Sequence, residues 1–187
     1  MTFEDGTLLG AIGPTGRASG VQRDVRVDSP YAGYPDFPVN IVTSDAGDLE
    51  ARFVVRIKEL YASYRMVKEI ADHLPDGDLT VKVPRRIPEG EVVSRVEAPR
   101  GELFYFMKSN GTDKPDRIKV RTPSLCNWGS VLTTAIGHKL ADMPMIMAGI
   151  DPCFSCNDRM VMINGDKTET KVWDWEDLRQ YGIEYYK

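Results

Sequence analysis

One segment constrains this chain more than any other: from Asp45 to His73 the sequence carries an unbroken helical periodicity. Leu49, Phe53, Ile57, Leu60, Tyr64, Val67 and Ile70 recur every three or four residues, with Arg52, Lys58, Glu59 and Lys68 between them. Val54, Tyr61, Met66 and Ala71 widen that stripe, which predicts a helix that packs on more than one side. Pro75 and Gly77 stop it. A chain of 187 residues has room for one ordinary core, so the remaining elements must organise around this helix.

They do not repeat its pattern. The first forty-odd residues are punctuated by Gly6, Gly10, Gly13, Pro14, Gly16 and Gly20, and they read as irregular. Pro30, Pro35 and Pro38, with Tyr31, Tyr34 and Phe37 between them, extend that character. So long a loop-like lead is unusual in a compact domain and predicts a segment that wraps around something outside the chain. Residues 79 to 96 read as short β-like pieces broken by Pro84, Pro88 and Gly90. Leu103 to Lys108 and Arg117 to Arg121 predict a β-hairpin around Asn110-Gly111, and Trp128 to Leu140 a second helix. Met160 to Ile163 and Thr170 to Trp173 flank Asn164-Gly165-Asp166, a further hairpin signal, and Trp175 to Tyr181 predicts a last short helix. The fold class is α+β, without the alternation of a doubly wound sheet.

Composition removes several functions. A net charge of -4 with no basic face offers no electrostatic footprint for nucleic acid. No apolar run reaches the roughly 18 residues needed to span a bilayer. Three cysteines argue against a secreted disulfide framework and for a reducing compartment. The expectation is a cytoplasmic protein, held at the membrane only through partners.

Chemistry concentrates in three short segments. In Asp151-Pro152-Cys153-Phe154-Ser155-Cys156-Asn157-Asp158-Arg159, Asp151 is a favoured N-cap and Pro152 suits a first helical position. A helix is therefore expected from Cys153, with Cys153 and Cys156 on one face and their thiolates stabilised by the helix N-terminus. Two sulfurs so placed reach one soft metal, yet supply only half of a ligand set. A redox pair, half of a zinc site and half of another metal site all remain open, and Cys126 and His138 are too far along the chain for a compact zinc knuckle. In Glu97-Ala98-Pro99-Arg100-Gly101, Pro99 and Gly101 project Arg100 rigidly, either toward an anionic or polar ligand or into a surface salt bridge with Glu97 or Glu102. In Arg121-Thr122-Pro123-Ser124-Leu125-Cys126-Asn127-Trp128, Ser124 or Asn127 is expected to cap the following helix.

In this order the segments form a pattern. With Gly13-Pro14, Arg17 to Val21, Asp24-Val25-Arg26 and Gly47 to Arg52, the chain resembles the C-terminal half of the large subunit of nickel-iron hydrogenases. The branch resembled is the energy-converting, complex-I-like one that includes formate hydrogenlyase and related membrane-bound complexes. The quinone-reactive subunit of complex I shares that fold but lacks these cysteines. The resemblance implies one half of a fold of long packed helices and small antiparallel hairpins. It implies that Cys153 is the terminal nickel ligand and Cys156 the cysteine bridging nickel and iron, in a centre whose iron carries carbon monoxide and cyanide. By the same resemblance, Arg100 hangs its guanidinium above the open metal position and Asp151 holds it there. Ser124 then corresponds to the donor to an iron-bound cyanide, and Pro99 and Pro123 shape the pocket around the diatomic ligands.

The family site uses two C-x-x-C pairs, and this sequence contains one. The chain is thus expected to be a fragment or a naturally split subunit that meets the N-terminal half, carrying the other pair, in trans. The implied partners are that half, an iron-sulfur small subunit, membrane subunits, and nickel-insertion and maturation factors. In isolation no hydrogenase activity is expected, and the cysteines hold zinc or no metal. A maturation cut after Arg159 divides many relatives, so residues 1–159 read as the hydrogenase-like domain and residues 160–187 as a C-terminal extension, a candidate maturation peptide. The competing reading is a non-catalytic complex-I-like scaffold whose cysteines bind zinc or nothing.

Overall fold

A computed structural model describes residues 1–157, 160–163, 170–173 and 175–185. The chain divides into two compact units, Met1–Asp151 and Pro152–Lys187.

In the first unit the glycine-rich lead is helical in short steps: α1 (Phe3–Leu8), α2 (Gly13–Arg17) and α3 (Val25–Asp28). Caps compensate for their poor helix formers. Thr2 and Asp5 form a capping box on α1, Pro14 opens α2, and Asp24 caps α3 through the Arg26 amide. The periodicity of a single turn is too short to be read against so many glycines, which is why the sequence reads as a loop there.

Helix α4 (Leu49–Asp72) follows, capped by the Asp48 carboxylate, which accepts from the Ala51 amide. Its packed side differs from the expected one. Ala51, Arg52 and Val55 are buried, Ala51 and Val55 in one cluster with Ala18 and Val42, whereas Ile57, Leu60, Tyr64 and Val67 of the apolar stripe lie exposed.

Residues 90–98 form a whole strand rather than broken pieces. β1 (Gly90–Ala98), β2 (Gly101–Ser109) and β3 (Pro115–Arg121) make an antiparallel meander, in which Ala98 pairs with Gly101 across a two-residue turn of Pro99 and Arg100. The hairpin expected around Asn110-Gly111 is the β2–β3 pair. Helix α5 (Pro123–Ala135) begins and ends about five residues before the expected span, because Pro123 sets its first turn and Gly137, with φ of 87°, turns the chain just beyond its end. A short helix α6 (Met143–Ala148) packs on it through Val131, Ile146 and Ile150, a second small core.

In the second unit, β4 (Met160–Ile163) pairs antiparallel with β5 (Thr170–Trp173), and α7 (Trp175–Tyr185) follows. The turn residues Asn164-Gly165-Asp166 and the cleavage candidate Arg159 lie outside the described residues. The architecture is α+β, as the sequence predicts. No helix among the described residues is long and apolar enough to cross a membrane.

Candidate functional site

Arg100 occupies the tip of the β1–β2 turn, and the backbone around it is tightly determined. Pro99 presets the turn and Gly101 takes a φ of 127°. Opposite sits Gly13, with φ of 62°, so close that a Cβ there would collide with the Arg100 carbonyl. Only glycine lets these two backbones meet.

Asn127 clamps the contact. Its Oδ1 accepts from the Ile12 amide at 3.0 Å, while its Nδ2 donates to the Ile12 carbonyl at 3.2 Å and the Arg100 carbonyl at 3.4 Å. The expected capping role for Asn127 or Ser124 is therefore corrected. The N-cap of α5 is Thr122, and Asn127, one turn into the helix, points its fully buried amide across to two other segments. Pro123 and Ser124 are buried in the same first turn.

The guanidinium so positioned meets Asp151. Nε donates to the Asp151 carbonyl at 2.5 Å and Nη2 to Oδ1 at 3.2 Å, so neither Glu97 nor Glu102 is its partner. Asp151 has a φ of 52°, the left-handed region that aspartate tolerates better than most residues. That turn lets backbone and side chain of one residue accept from the same arginine. It also means that Asp151 caps no helix at Cys153, contrary to what Asp-Pro predicts. The chain instead makes a 3-10 turn over Phe154–Cys156 with Cys153 as its N-cap.

The Cys153 carbonyl accepts from the Cys156 amide at 3.1 Å and from Asn157 Nδ2 at 2.8 Å. One tight turn thus carries both half-buried sulfurs. Cys153 is extended, with φ of -112° and ψ of 125°, and stands just ahead of the turn that Cys156 closes. Cys126 lies in α5, half-buried, and burial pushes its thiol above the ordinary range. His73 and His138 are exposed, at the end of α4 and beyond α5. Among the described residues no three His, Cys, Asp or Glu side chains converge as a metal site.

Behind the Arg100 turn lies an ionic cluster to which the sequence reading gives no role. Arg17, only 2 % exposed, grips Glu59 with Nε at 2.6 Å and Nη2 at 3.2 Å, and turns Nη1 to Glu97 at 2.8 Å. The same Nη1 lies 3.4 Å from Asp24, which is held in turn by Nε and Nη2 of Arg26 at 2.9 and 2.6 Å. Glu97 also accepts from the Val25 amide at 3.1 Å.

Burial weakens the charge of Arg17, but Glu59 and Glu97 outweigh it and leave its pKa raised. Burial likewise pushes Asp24 up, yet Arg26 and Arg17 hold it below the aspartate range. For Glu97 burial prevails over Arg17, so its carboxyl lies above the glutamate range. An open cleft of about 480 Å³ borders this cluster, with Pro14, Arg56, Leu60, Pro99 and Asp151 also on its walls. One sequence signal could have exposed it: Arg52, Arg56, Glu59 and Ser63 recur at helical spacing beside the apolar stripe of α4.

With this geometry in place, the relatives are informative. The family described as "Respiratory-chain NADH dehydrogenase, 49 Kd subunit" matches residues 1–87 and 81–159. The chain is 39% identical over 159 residues to the carbon monoxide-induced hydrogenase of Rhodospirillum rubrum, covering 85% of this chain and 44% of that protein. It is 42% identical over 143 residues to a subunit of the NADH-quinone oxidoreductase of Dehalococcoides mccartyi, covering 75% of this chain and 39% of the relative. Against formate hydrogenlyase subunit 5 of Escherichia coli the identity is 34%, covering 92% of this chain and 30% of the relative. A solved chain of the membrane-bound sulfane sulfur reductase, an archaeal respiratory membrane complex, superposes with a TM-score of 0.75 at 33% identity, covering 82% of this chain and 43% of its own. The chain thus spans less than half the length of these relatives.

Proposed function

Because this chain belongs to the family of the 49 Kd subunit of respiratory-chain NADH dehydrogenase, we propose that it is one half of an oxidoreductase subunit, of the nickel-iron hydrogenase kind. Its relatives carry both hydrogenase and quinone-oxidoreductase names. The observation that favours the hydrogenase side is the pair Cys153 and Cys156 on one tight turn, two residues after the aspartate that holds Arg100.

The donor set suits a soft metal as far as it goes. Two thiolates bind nickel or iron well, and both must lose their protons to do so. They make two of the four sulfurs that the site requires, and the other pair must come from the rest of the fold. A nickel-iron centre with carbon monoxide and cyanide on iron would supply the redox chemistry of reversible hydrogen cleavage there. The residues of this chain have their own tasks. Arg100, fixed by Gly13, Asn127 and Asp151, presents a permanent positive charge on a backbone that cannot relax. Asp151 orients that charge. Pro99, Pro123 and Ser124 are proposed as the lining around the diatomic ligands.

As partners we propose the remainder of the fold with the second C-x-x-C pair, an iron-sulfur subunit that takes up electrons, membrane subunits, and nickel-insertion and maturation factors. The proposed location of the assembly is the cytoplasmic face of a membrane. The alternative, a scaffold whose cysteines hold zinc or nothing, is favoured by the 42% identity to a quinone-oxidoreductase subunit.

Metal analysis separates the two, with the chain co-expressed with the rest of the fold and the maturation factors and read together with hydrogen uptake. The hydrogenase reading expects nickel and iron at about one each, lost on Cys153→Ser or Cys156→Ser, and hydrogen uptake lost with Arg100→Leu while the metals stay. Zinc alone, or no metal in a folded assembly, would establish the scaffold.

A further inference from the structure

One arginine of this chain is buried without a partner. Arg52 is 2 % exposed, and its guanidinium forms no hydrogen bond or ion pair among the described residues. Its Nε is closed off from water, so Nη1 and Nη2 are the part of the group left open. Arg56, one turn on, differs: it gives Nη1 to the Arg52 carbonyl at 3.1 Å, and its bare Nε and Nη2 are sealed inside the chain. Burial, and after it the charge of Arg56, lower the pKa of Arg52, and only Asp48 works against them. A buried charge left in this state is costly, and the planar fork of a guanidinium is matched in shape by a carboxylate.

Arg52 borders a pocket of its own. The pocket lies at the first turn of α4, with Asp48, Leu49, Arg52, Thr133, Ile136 and Ile146 on its walls, and none of its wall residues belongs to the cleft beside Arg17 and Glu97. Its volume of about 330 Å³ is at the small end of ligand sites. The positive end of a 24-residue helix borders it as well. Two wall carboxylates are spent on backbone amides, Asp5 on that of Thr2 and Asp48 on that of Ala51. They leave Arg52 bare, and their charge counts against a dianion in so small a space. Leu49, Ile136 and Ile146 offer contact to a hydrocarbon end.

We infer that this pocket is a binding site for a small organic monocarboxylate, whose carboxylate seats on the Nη atoms of Arg52 and whose hydrocarbon end lies against Leu49, Ile136 and Ile146. Nη1 lies 3.3 Å from where a Cβ on Gly149 would stand, two residues before the aspartate that holds Arg100. An occupant is thus in reach of the turn that carries Asp151 without entering the Arg100 cleft. The site does not depend on which metal, if any, the cysteines hold.

The test is titration of the complete chain with butyrate, at ionic strength held constant with chloride, followed by the amide shifts of Leu49, Arg52 and Gly149 in proton-nitrogen correlation spectra. Saturable shifts with a Kd of about 1 mM are expected, a strength within reach of so small a ligand. Arg52→Met should abolish them, and Arg52→Lys, which keeps the charge without the fork, should weaken binding at least tenfold. Ile136→Glu sets a like charge at the rim on a residue that is 82 % exposed, so the fold is kept while binding falls several-fold. Lys119→Glu, on the outer strand β3, leaves binding unchanged. Shifts that fail to saturate by about 50 mM, or that survive both Arg52→Met and Ile136→Glu, overturn the site. Phosphate bound as tightly as butyrate overturns the monocarboxylate assignment. In a last arm the chain is co-expressed with the rest of the fold. Butyrate taken up by that assembly as well supports a free ligand. An assembly that no longer takes it up overturns the free ligand and gives the place on Arg52 to a carboxylate side chain of the other half.

Discussion

Two regions of this molecule invert the usual arrangement. Around α2, charge is inside: Arg17, Asp24, Glu59 and Glu97 meet with their side chains almost wholly out of water. Along α4, apolar surface is outside, with Leu60, Tyr61, Tyr64 and Val67 facing solvent. The first region is closed, because each of those carboxylates has an arginine. The second is open, because neither the apolar stripe nor the Arg56 edge has a counterpart among the described residues. The difference teaches where the chain finishes its own structure and where it leaves apolar surface to water. Buried ion pairs gain little net stability over apolar packing, but they are unforgiving of losing one member. An exposed seam has the opposite property, tolerant in isolation and decisive in assembly.

The strongest way to break the comparison is Arg17→Met. It leaves Glu59, Glu97 and Asp24 without their shared cation in a buried place, and about 3–5 kcal/mol of unfolding free energy should be lost. Urea denaturation of the lone chain measures it. A loss under about 1 kcal/mol, the size of an exposed pair, would mean that water reaches the cluster and the region is not closed. Next comes Asn127→Ala, which strips the Ile12 amide and two carbonyls of their partner. A cost of about 2–3 kcal/mol is expected, again by urea denaturation, together with a loosened Arg100 turn seen as faster amide exchange at Gly101.

The closed region is the harder one to see in the sequence. Arg17, Asp24 and Arg26 lie in a stretch that reads as loop, and Glu97 sits close to Arg100, where a surface ion pair is the simpler reading. Their burial depends on the approach of Gly13 to Gly101, a long-range backbone contact that no local pattern encodes. What is legible has local causes: the β2–β3 hairpin, the extent of α4 and the turn that projects Arg100. The apolar stripe of α4 is legible too, but its direction is not. Periodicity states that a face is apolar, not which body covers it, and here the chain itself covers Ala51, Arg52 and Val55 instead. The same ambiguity hides the cysteine turn, since Asp-Pro predicts a helix start only if the aspartate is extended, and Asp151 is not.

A pH titration of stability sharpens the view of the closed region. Asp24 lies below its ordinary range, so its contribution is present above an unfolded pKa of about 3.9 and is lost as pH falls through its folded value. Glu97 lies above its range, so its contribution is complete below about 4.3 and is lost as pH rises through its folded value. Stability of the lone chain should therefore rise toward pH of about 4 and then slip over the following units. Glu97→Gln lowers the whole curve by removing a partner of Arg17, but it should also erase the slip while keeping the acid rise. If the slip persists in that variant, the carboxylate responsible is another one.

The smallest effect belongs to the open region, and its smallness is what makes it informative. Tyr61→Gln changes a side chain that is 65 % exposed and caps no helix. Substitutions of that kind alter stability by no more than about 0.5 kcal/mol. The lone chain should melt as before and self-associate less, because an apolar seam facing water promotes weak contact between copies. Where the assembly proposed above covers this face, the same substitution should weaken that assembly several-fold. Comparing melting of the lone chain with dissociation of the complex for this one variant gives the ratio that separates surface from interface. Equal effects in both would mean that Tyr61 stays in water in the assembly as it does in the lone chain.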